Sequence, residues 1–539
     1  MRAEEVPVLV VGGSLVGLTA SALLASQGVR HMLVERHRGT AIHPRAASFH
    51  QRTMEVFRSI GLQQEVEDAA AREFKQNGSI ISVDTLNGNE LACFYRSFNE
   101  GVEGLSPTSR LFITQIGLEP VLRRRAGELG ADHHYATELV RFDQDQDGVT
   151  AMISARDGGY ERAVRARYVI AADGAHSFVR ERLGIGMRGR GGFADCMTIY
   201  FKADMRAMIG DRALSVVYVN HPRLLAFFRF AITNDAGFLA VFSTFDEGGH
   251  READVGKDVS KQRCADLVRT ALGVAPDYPV EIDDVQPWTA TAATAERFRE
   301  GRIFLAGDAA HLMPPTGGFG GNTGVGDVHN LVWKLAMVLR GDAGPALLDS
   351  YEPERKPVCE LIVEQAYARY IHRVDPTLPS HNVAAELDDP SIELGPIYRS
   401  TAILAEAADN GRPLDDPRSP SGRPGTRLPH MVLERGREQI STLDLAGPGF
   451  VLIAGSDGDS WFDAAQALAS SGAPIRAHRI GPDGDLAAPD GRFESLAGIG
   501  RDGALLLRPD GVIAWRSPGT AADAPAVIRG AMECLTFGR

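Results

Sequence analysis

Cysteine is scarce in this chain: five in 539 residues, at Cys93, Cys196, Cys264, Cys359 and Cys534. They are scattered and odd in number, with no CxxC, which excludes a zinc ribbon and a dithiol redox motif. The pattern is that of reduced thiols in a cytoplasmic enzyme. Long apolar runs are missing too, and none reaches the ~20 residues that cross a bilayer. Met1 to Glu5 is charged and leads straight into an apolar segment, which speaks against a secretory signal. Positive charge is in deficit: 57 Lys+Arg against 70 Asp+Glu leave a net charge of −13. Neither nucleic acid nor an anionic membrane is an expected partner. The hydrophobic content of 44% is that of a globular protein, and the length allows roughly two to four domains.

The informative residues lie in three separated segments. Val6 to Val11 is a short apolar run that ends in Gly12-Gly13-Ser14-Leu15-Val16-Gly17. An Ala-rich helix follows to Ser26, Gly28 stops it, and a second strand, His31 to Val34, closes on Glu35. A strand–turn–helix–strand unit with an acid about 20 residues after the turn is the layout of a dinucleotide site. Ser14 departs from that pattern, because it stands where the middle glycine lets phosphate approach the backbone. A hydrolase nucleophile elbow would need glycine at Val16, and a Walker A loop would need Lys-Ser/Thr in place of Leu18-Thr19.

The second segment, Tyr168 to Ala172, is an apolar strand that ends in Asp173-Gly174 and leads through Ser177 to Arg180. The third runs from Arg302 through Gly307-Asp308, His311 and Pro315 to Gly320-Gly321-Asn322. Aspartate is a poor strand residue, so an acid at a strand end points to a polar ligand. Glycines at the following helix start leave N–H groups bare for negative charge. The helix expected from about Thr323 to Leu339 aims its positive end at that loop. His311 and His329 read as packed or surface histidines, since no partner can be placed for either.

In this order and spacing the three segments resemble the FAD-dependent aromatic hydroxylases, the p-hydroxybenzoate hydroxylase-like group A flavoprotein monooxygenases. The chain is most similar to the longer polyketide and phenol hydroxylases with a C-terminal thioredoxin-like domain. The resemblance implies that Gly12, Gly13, Ser14 and Gly17 hold the FAD pyrophosphate, with Glu35 on the adenosine ribose and Arg36 beside the adenine half. It implies that Arg45 lies near the flavin and that Gln115 and Asp308 contact the ribityl chain. Pro315 would lie beside the isoalloxazine edge, with donors from Gly320, Gly321 and Asn322 on the pyrimidine. Asp173 and Arg180 belong to a segment linked to FAD and the nicotinamide cofactor. NAD(P)H and O2 would be co-substrates, and oxygen would be delivered through a C4a-hydroperoxyflavin to an electron-rich ring. No metal is implied.

The expected fold is α/β. A Rossmann-like FAD-binding domain (1–74, 106–186 and 286–395) is interleaved with a substrate-binding β-sheet domain (75–105 and 187–285). Pro-rich linker signals then lead into a thioredoxin-like unit at 396–539, with its core from about 430. Strands are expected at Met197 to Ala203, Leu214 to Val219, Leu224 to Ala231 and Gly237 to Ser243, and a hairpin at Pro509-Asp510-Gly511. Tyr218, Phe227, Phe228 and Phe230 are the candidate substrate wall, and Arg373 is a candidate for favouring a phenolate. The reading is a hydroxylase of a polycyclic aromatic, polyketide or phenolic, working as a monomer or homodimer. Baeyer–Villiger oxygenation of a polyketide ketone and a non-catalytic flavin-binding protein are the alternatives.

Overall fold

The computed structural model describes residues 3–42, 47–159, 161–252, 255–378, 382–407, 409–482 and 484–538. Arg45 lies outside them. The opening run forms the strand Glu4–Val11, which sits inside an eight-stranded sheet. Its neighbours are His31–Val34 and Arg162–Ala171, and Ile303–Leu305 lies beyond the latter, all parallel to it. The ends that matter are sealed: Val8, Leu9 and Val10 are fully buried, as is all of His31–Val34. Strands covered on both faces need such continuous apolar runs. The helix Leu15–Ser26 covers one face, and the long helix Phe319–Arg340 packs against it.

A second eight-stranded sheet is built from Ser79–Val83, Glu90–Tyr95, Met187–Lys202, Leu214–His221, Leu224–Phe230, Ala236–Thr244, Glu281–Ala295 and His311–Leu312. One face buries the helix Lys261–Leu272, and the other faces Val363, Tyr367 and Tyr370 at the end of the helix Tyr351–Arg369. The boundary read at residue 286 falls inside one strand. Residues 286–295 keep pairing with Met187–Lys202 through two further bulges, so they belong to this sheet. Apolar alternation marks a strand but not which sheet it joins.

The chain ends in a four-stranded sheet of order Ile475–Arg479, Phe450–Ala454, Ala504–Leu507, Ile513–Ser517. The first pair is parallel and the rest antiparallel, with helices Asp459–Ser470 and Ala524–Leu535. This is a thioredoxin-like topology. Phe450, Trp461 and Ile528 belong to the same apolar cluster as Val8 of the first sheet and Leu331 of the long helix against it. Buried charge joins the two as well. Arg508 donates to Glu354 at 2.6 and 2.9 Å, and Lys334 donates to the same carboxylate at 2.9 Å, all fully buried. All five cysteines are free. Among the described residues no helix is long and apolar enough to cross a membrane.

Candidate functional site

Register brings the three segments together. Val11 pairs with both Ala171 and Val34, and Ala171 pairs with Leu305. Gly12, Glu35, Asp173 and Gly307-Asp308 therefore leave neighbouring strands at the same carboxyl edge. At about 4.8 Å per strand, these four ends span roughly 14 Å. Ligands of open α/β sheets bind at that edge.

The glycine turn is tightly packed. Gly12 has φ +105°, and a Cβ there would fall 2.2 Å from the Ala172 carbonyl oxygen. A Cβ on Gly17 would fall 1.8 Å from the Gly12 carbonyl oxygen. Only glycine lets the helix Leu15–Ser26 start this close to the strand end. The Gly13 N–H donates to Glu35 Oε2 at 2.6 Å, and the His37 N–H donates to Oε1 at 2.7 Å. Arg36 is exposed beside them.

Ser14 has a reason that the glycine pattern alone does not supply. Its hydroxyl donates to Glu119 Oε1 at 2.5 Å, and Gln115 Nε2 donates to the Ser14 oxygen at 3.2 Å. Glu119 is fully buried and also accepts the Leu15 and Ala41 N–H groups at 2.9 and 2.7 Å. Burial pushes its carboxyl up, against the pull of those hydrogen bonds. Glu119 was missed in the sequence, although its signal was there: it lies one helical turn from Gln115 on the same face.

Asp173 is half-buried at the start of the short helix Phe178–Arg182, whose N-cap is Ser177. Its oxygens accept from Ser177 Oγ at 2.6 Å and the Val179 N–H at 3.0 Å. Arg180 reaches back to the carbonyl of Ala309 at 3.2 Å, tying this segment to the Asp308 turn. Asp308 itself is exposed at the crevice, as is Pro315. Beneath the turn, Asp327 accepts the Gly307 N–H at 3.0 Å, pairs with His311 at 2.7 Å and takes Arg355 at 2.9 Å. Burial alone would push Asp327 up, but His311 and Arg355 hold it down. His311 is thus a buried partner. With Asp327 and Cys359 it makes a metal-like trio, but the Arg355 guanidinium already supplies the positive charge there.

The long helix starts at Phe319, four residues earlier than expected, because Gly317 and Gly318 turn the chain with φ +84° and +68°. The first-turn N–H groups, at Phe319, Gly320 and Gly321, have no partner within the helix. The Asn322 side chain is fully engaged. It accepts from the His50 N–H and Thr53 Oγ1 and donates to the Ser48 and Gly318 carbonyls. Only its backbone remains for a ligand. His329 lines a pocket with His50 and Tyr398, and burial pushes its ring down to about 3.

The aromatic wall divides between the two faces of the second sheet. Tyr218 and Phe227 pair across strands, 6.0 Å between rings, and Phe227 packs on Phe238 and Phe242 at 5.6 Å. Phe228 and Phe230 point the other way, into the core around Val268 and Leu272. They are corrected from wall to core, since strand alternation sends adjacent residues to opposite faces. Phe94 (5.8 Å from Tyr218) and Trp288 complete the wall and were not identified from the sequence. Arg373 forms an ion pair with Glu386, and its guanidinium lies 5.9 Å from the Phe94 ring. It is therefore a paired cation at the edge of the wall. The Tyr95 hydroxyl donates to Asp389 at 2.6 Å, and Asp389 also takes Arg369 at 2.5 Å.

A clash-tight glycine turn, an acid one strand away and bare helix N–H groups at the far end of one crevice fit an extended dinucleotide such as FAD. Comparison with known proteins agrees. Residues 5–366 match the FAD binding domain family, and residues 421–536 match the aromatic-ring hydroxylase C-terminal family. The chain is 48% identical to 4-methyl-5-nitrocatechol 5-monooxygenase of a Burkholderia species, over 98% of this chain and 97% of that one. It is 40% identical to aklavinone 12-hydroxylase RdmE of Streptomyces purpurascens, over 99% of each. The crystal structure of aklavinone-11 hydroxylase with FAD and aklavinone superposes with a TM-score of 0.92 at 39% identity, covering all of both chains. This chain belongs to the FAD-dependent aromatic hydroxylases, the single-component flavoprotein monooxygenases with a thioredoxin-like C-terminal domain.

Proposed function

We propose that the protein hydroxylates a phenolic or polycyclic aromatic ring, using NAD(P)H and O2. The observation that carries this reading is the Tyr218–Phe227–Phe242–Trp288 wall, which faces the unit that holds the cofactor crevice. Bound FAD supplies the redox and oxygen chemistry, which no side chain here can perform. The chain's own residues hold, orient and shield. Gly12, Gly13, Ser14 and Gly17 would seat the pyrophosphate, Glu35 the ribose, and Gln115 and Asp308 the ribityl chain. Backbone donors of Gly320, Gly321 and Asn322 at the helix start would favour negative charge on the pyrimidine. Asp173 and Arg180 would act on this site by fixing the Asp308 turn. The aromatic wall would lay a flat substrate ring down and exclude water. Arg373, steadied by Glu386, would favour the phenolate. Free thiols support a cytoplasmic setting, with the enzyme as a monomer or homodimer.

The relatives act on rings of two sizes, a nitrocatechol and fused polyketides, so the test uses both. Protein reconstituted with FAD is given NADPH or NADH and a panel of catechols, nitrocatechols and anthraquinone phenols. The expected result is nicotinamide oxidation accelerated by a matching phenol, with one oxygen from labelled O2 on a ring carbon by mass spectrometry and NMR. An inserted ring oxygen would mean Baeyer–Villiger chemistry instead. Protein that takes up no FAD would end the proposal.

A further inference from the structure

Arg229 lies two residues beyond Phe227 on the same strand, and so on the same face of the second sheet. Its guanidinium is held between two rings, 4.5 Å from the Phe74 centroid and 4.2 Å from that of Phe112. The residue is 5% exposed, and its Nε is buried without a partner. The side chain makes no hydrogen bond or ion pair with any described residue. Buried charges are ordinarily paired, because desolvation costs several kcal/mol, and ring stacking returns only about 1–2 kcal/mol per contact. The nearby carboxylate, Glu73, is already taken by the Thr114 N–H and hydroxyl. Burial pulls the guanidinium down to about 9.

Glu73 acts on Arg229 only through space. Phe74, Lys75, Phe112, Arg212, Ser215 and Arg229 line a small cleft that opens to solvent, and no acidic side chain lines it. Ser215 Oγ is a second buried polar atom without a partner in this cleft. Arg212 donates to the carbonyls of Met208 and Ile209 and brings a further positive charge to the cleft rim. Both rings lie within stacking reach of the Arg229 guanidinium, and a planar guanidinium with stacked rings keeps its N–H donors for a partner at its edge.

We propose that this cleft binds a small anion, held in the plane of the Arg229 guanidinium and by the Ser215 hydroxyl, with Lys75 and Arg212 supplying the surrounding field. The ligand class is a halide or a single oxyanion terminus, because little free space remains in the cleft that Arg229 and Ser215 line. It comes either from free inorganic salt or from the phosphate end of the nicotinamide cofactor. The cleft joins Phe74 and Phe112 of the FAD-binding unit to the second sheet, so occupancy would stabilise that junction.

The test is thermal unfolding of the FAD-loaded enzyme in sodium chloride against sodium gluconate at matched ionic strength. A bromide-soaked crystal is read for anomalous signal. The expected result is a midpoint that rises with the logarithm of chloride concentration in the wild type. It should be flat in Arg229→Met and shallower in Ser215→Ala, with a bromide peak beside Arg229. Should Arg229→Met not fold, Arg229→Lys keeps the charge without the planar fork and should give a reduced slope. Chloride that raises KM for NADPH in the wild type and not in the Arg229 variant assigns the site to the cofactor's phosphate. A KM insensitive to chloride assigns it to a free ion. Equal chloride slopes in wild type and all variants, with no bromide peak, would overturn the proposal.

Discussion

The glycine turn can be tested by one methyl group. In Gly17→Ala the new Cβ would lie 1.8 Å from the Gly12 carbonyl oxygen, 2.9 Å from its carbon and 3.5 Å from Val10 Cγ1. The first two are backbone atoms, so no side chain can swing aside. The helix start and the turn must separate by more than an ångström. Overpacking of this kind costs about 1–3 kcal/mol of stability. The larger effect falls on the cofactor. The N–H groups that would cradle the pyrophosphate move with the turn, and a hydrogen bond to a charged group contributes about 1.5–3 kcal/mol. Losing one or two of them predicts about 2–4 kcal/mol, roughly a 30- to 700-fold weaker FAD complex. The assay is titration of the apoprotein with FAD, followed by quenching of flavin fluorescence. Gly28→Ala is the control. It lies just past the other end of the same helix at φ +70° with nothing within 4 Å of a Cβ, so it should cost about 1 kcal/mol of stability and leave FAD affinity unchanged. A folded Gly17→Ala protein with wild-type affinity would mean that the pyrophosphate is not bound at this turn.

The two faces of the second sheet should separate in kinetics. Phe227→Ala is expected to raise KM for the aromatic substrate and waste more NAD(P)H per product. Phe228→Ala should instead cost about 3–5 kcal/mol in urea unfolding and leave KM alone, and equal kinetic effects would refute the assignment. Removing the Glu354 charge by Glu354→Gln strands Lys334 and leaves Arg508 with Asp510 alone, and should cost about 3–5 kcal/mol. A change under about 0.5 kcal/mol, the range of surface substitutions, would refute that. Burial would raise the Glu55 carboxyl, but Arg427 and Arg52 outweigh it and hold it near about 2, below its ordinary 4.5. Because the folded value is depressed, this group's stabilisation is complete above pH 4.5 and fades as pH falls towards about 2. Urea midpoints measured across that window should show a shallower decline in Glu55→Gln, and identical slopes would count against it.

Much of the crevice was legible because it is local. A strand that ends in glycine or in an acid announces itself within six residues, and Gly12, Asp173 and Asp308 do emerge at one edge. The strands from Met187 to Thr244 were legible for the same reason, through their two-residue alternation. What pairs over distance was not. Glu119 reaches Ser14 from 105 residues away, and no local rule places them together. Asp173 was legible as an acid at a strand end, but the Ser177 hydroxyl and Val179 N–H that hold its carboxylate were not. Phe227 and Phe228 are chemically identical, and only the register of the sheet says which one faces the FAD-binding unit. The pairing of Arg373 with Glu386 was not legible, because Glu386 lies across an irregular segment that carries no periodicity.

The C-terminal unit lacks a redox dithiol, and its attachment to the rest indicates what it contributes. Arg508 and Asp510 flank the tip of its last hairpin, and Arg508 grips Glu354 in the first turn of the helix Tyr351–Arg369. The next residue, Arg355, holds Asp327, and Asp327 holds the Gly307 N–H that precedes Asp308. The Tyr351 hydroxyl, from the same helix, donates to the Leu305 carbonyl at 2.7 Å. One helix therefore carries a buried charge network on one side and tethers the Asp308 turn on the other. Ligand-holding turns need support from side chains that are themselves locked. A hydrophobic contact alone would let that helix slide by a rotamer, whereas the Arg508 fork fixes both its position and its rotation. On this geometry the C-terminal domain acts as the rear brace of the cofactor site, so its loss should appear first as weaker flavin retention rather than as altered substrate choice.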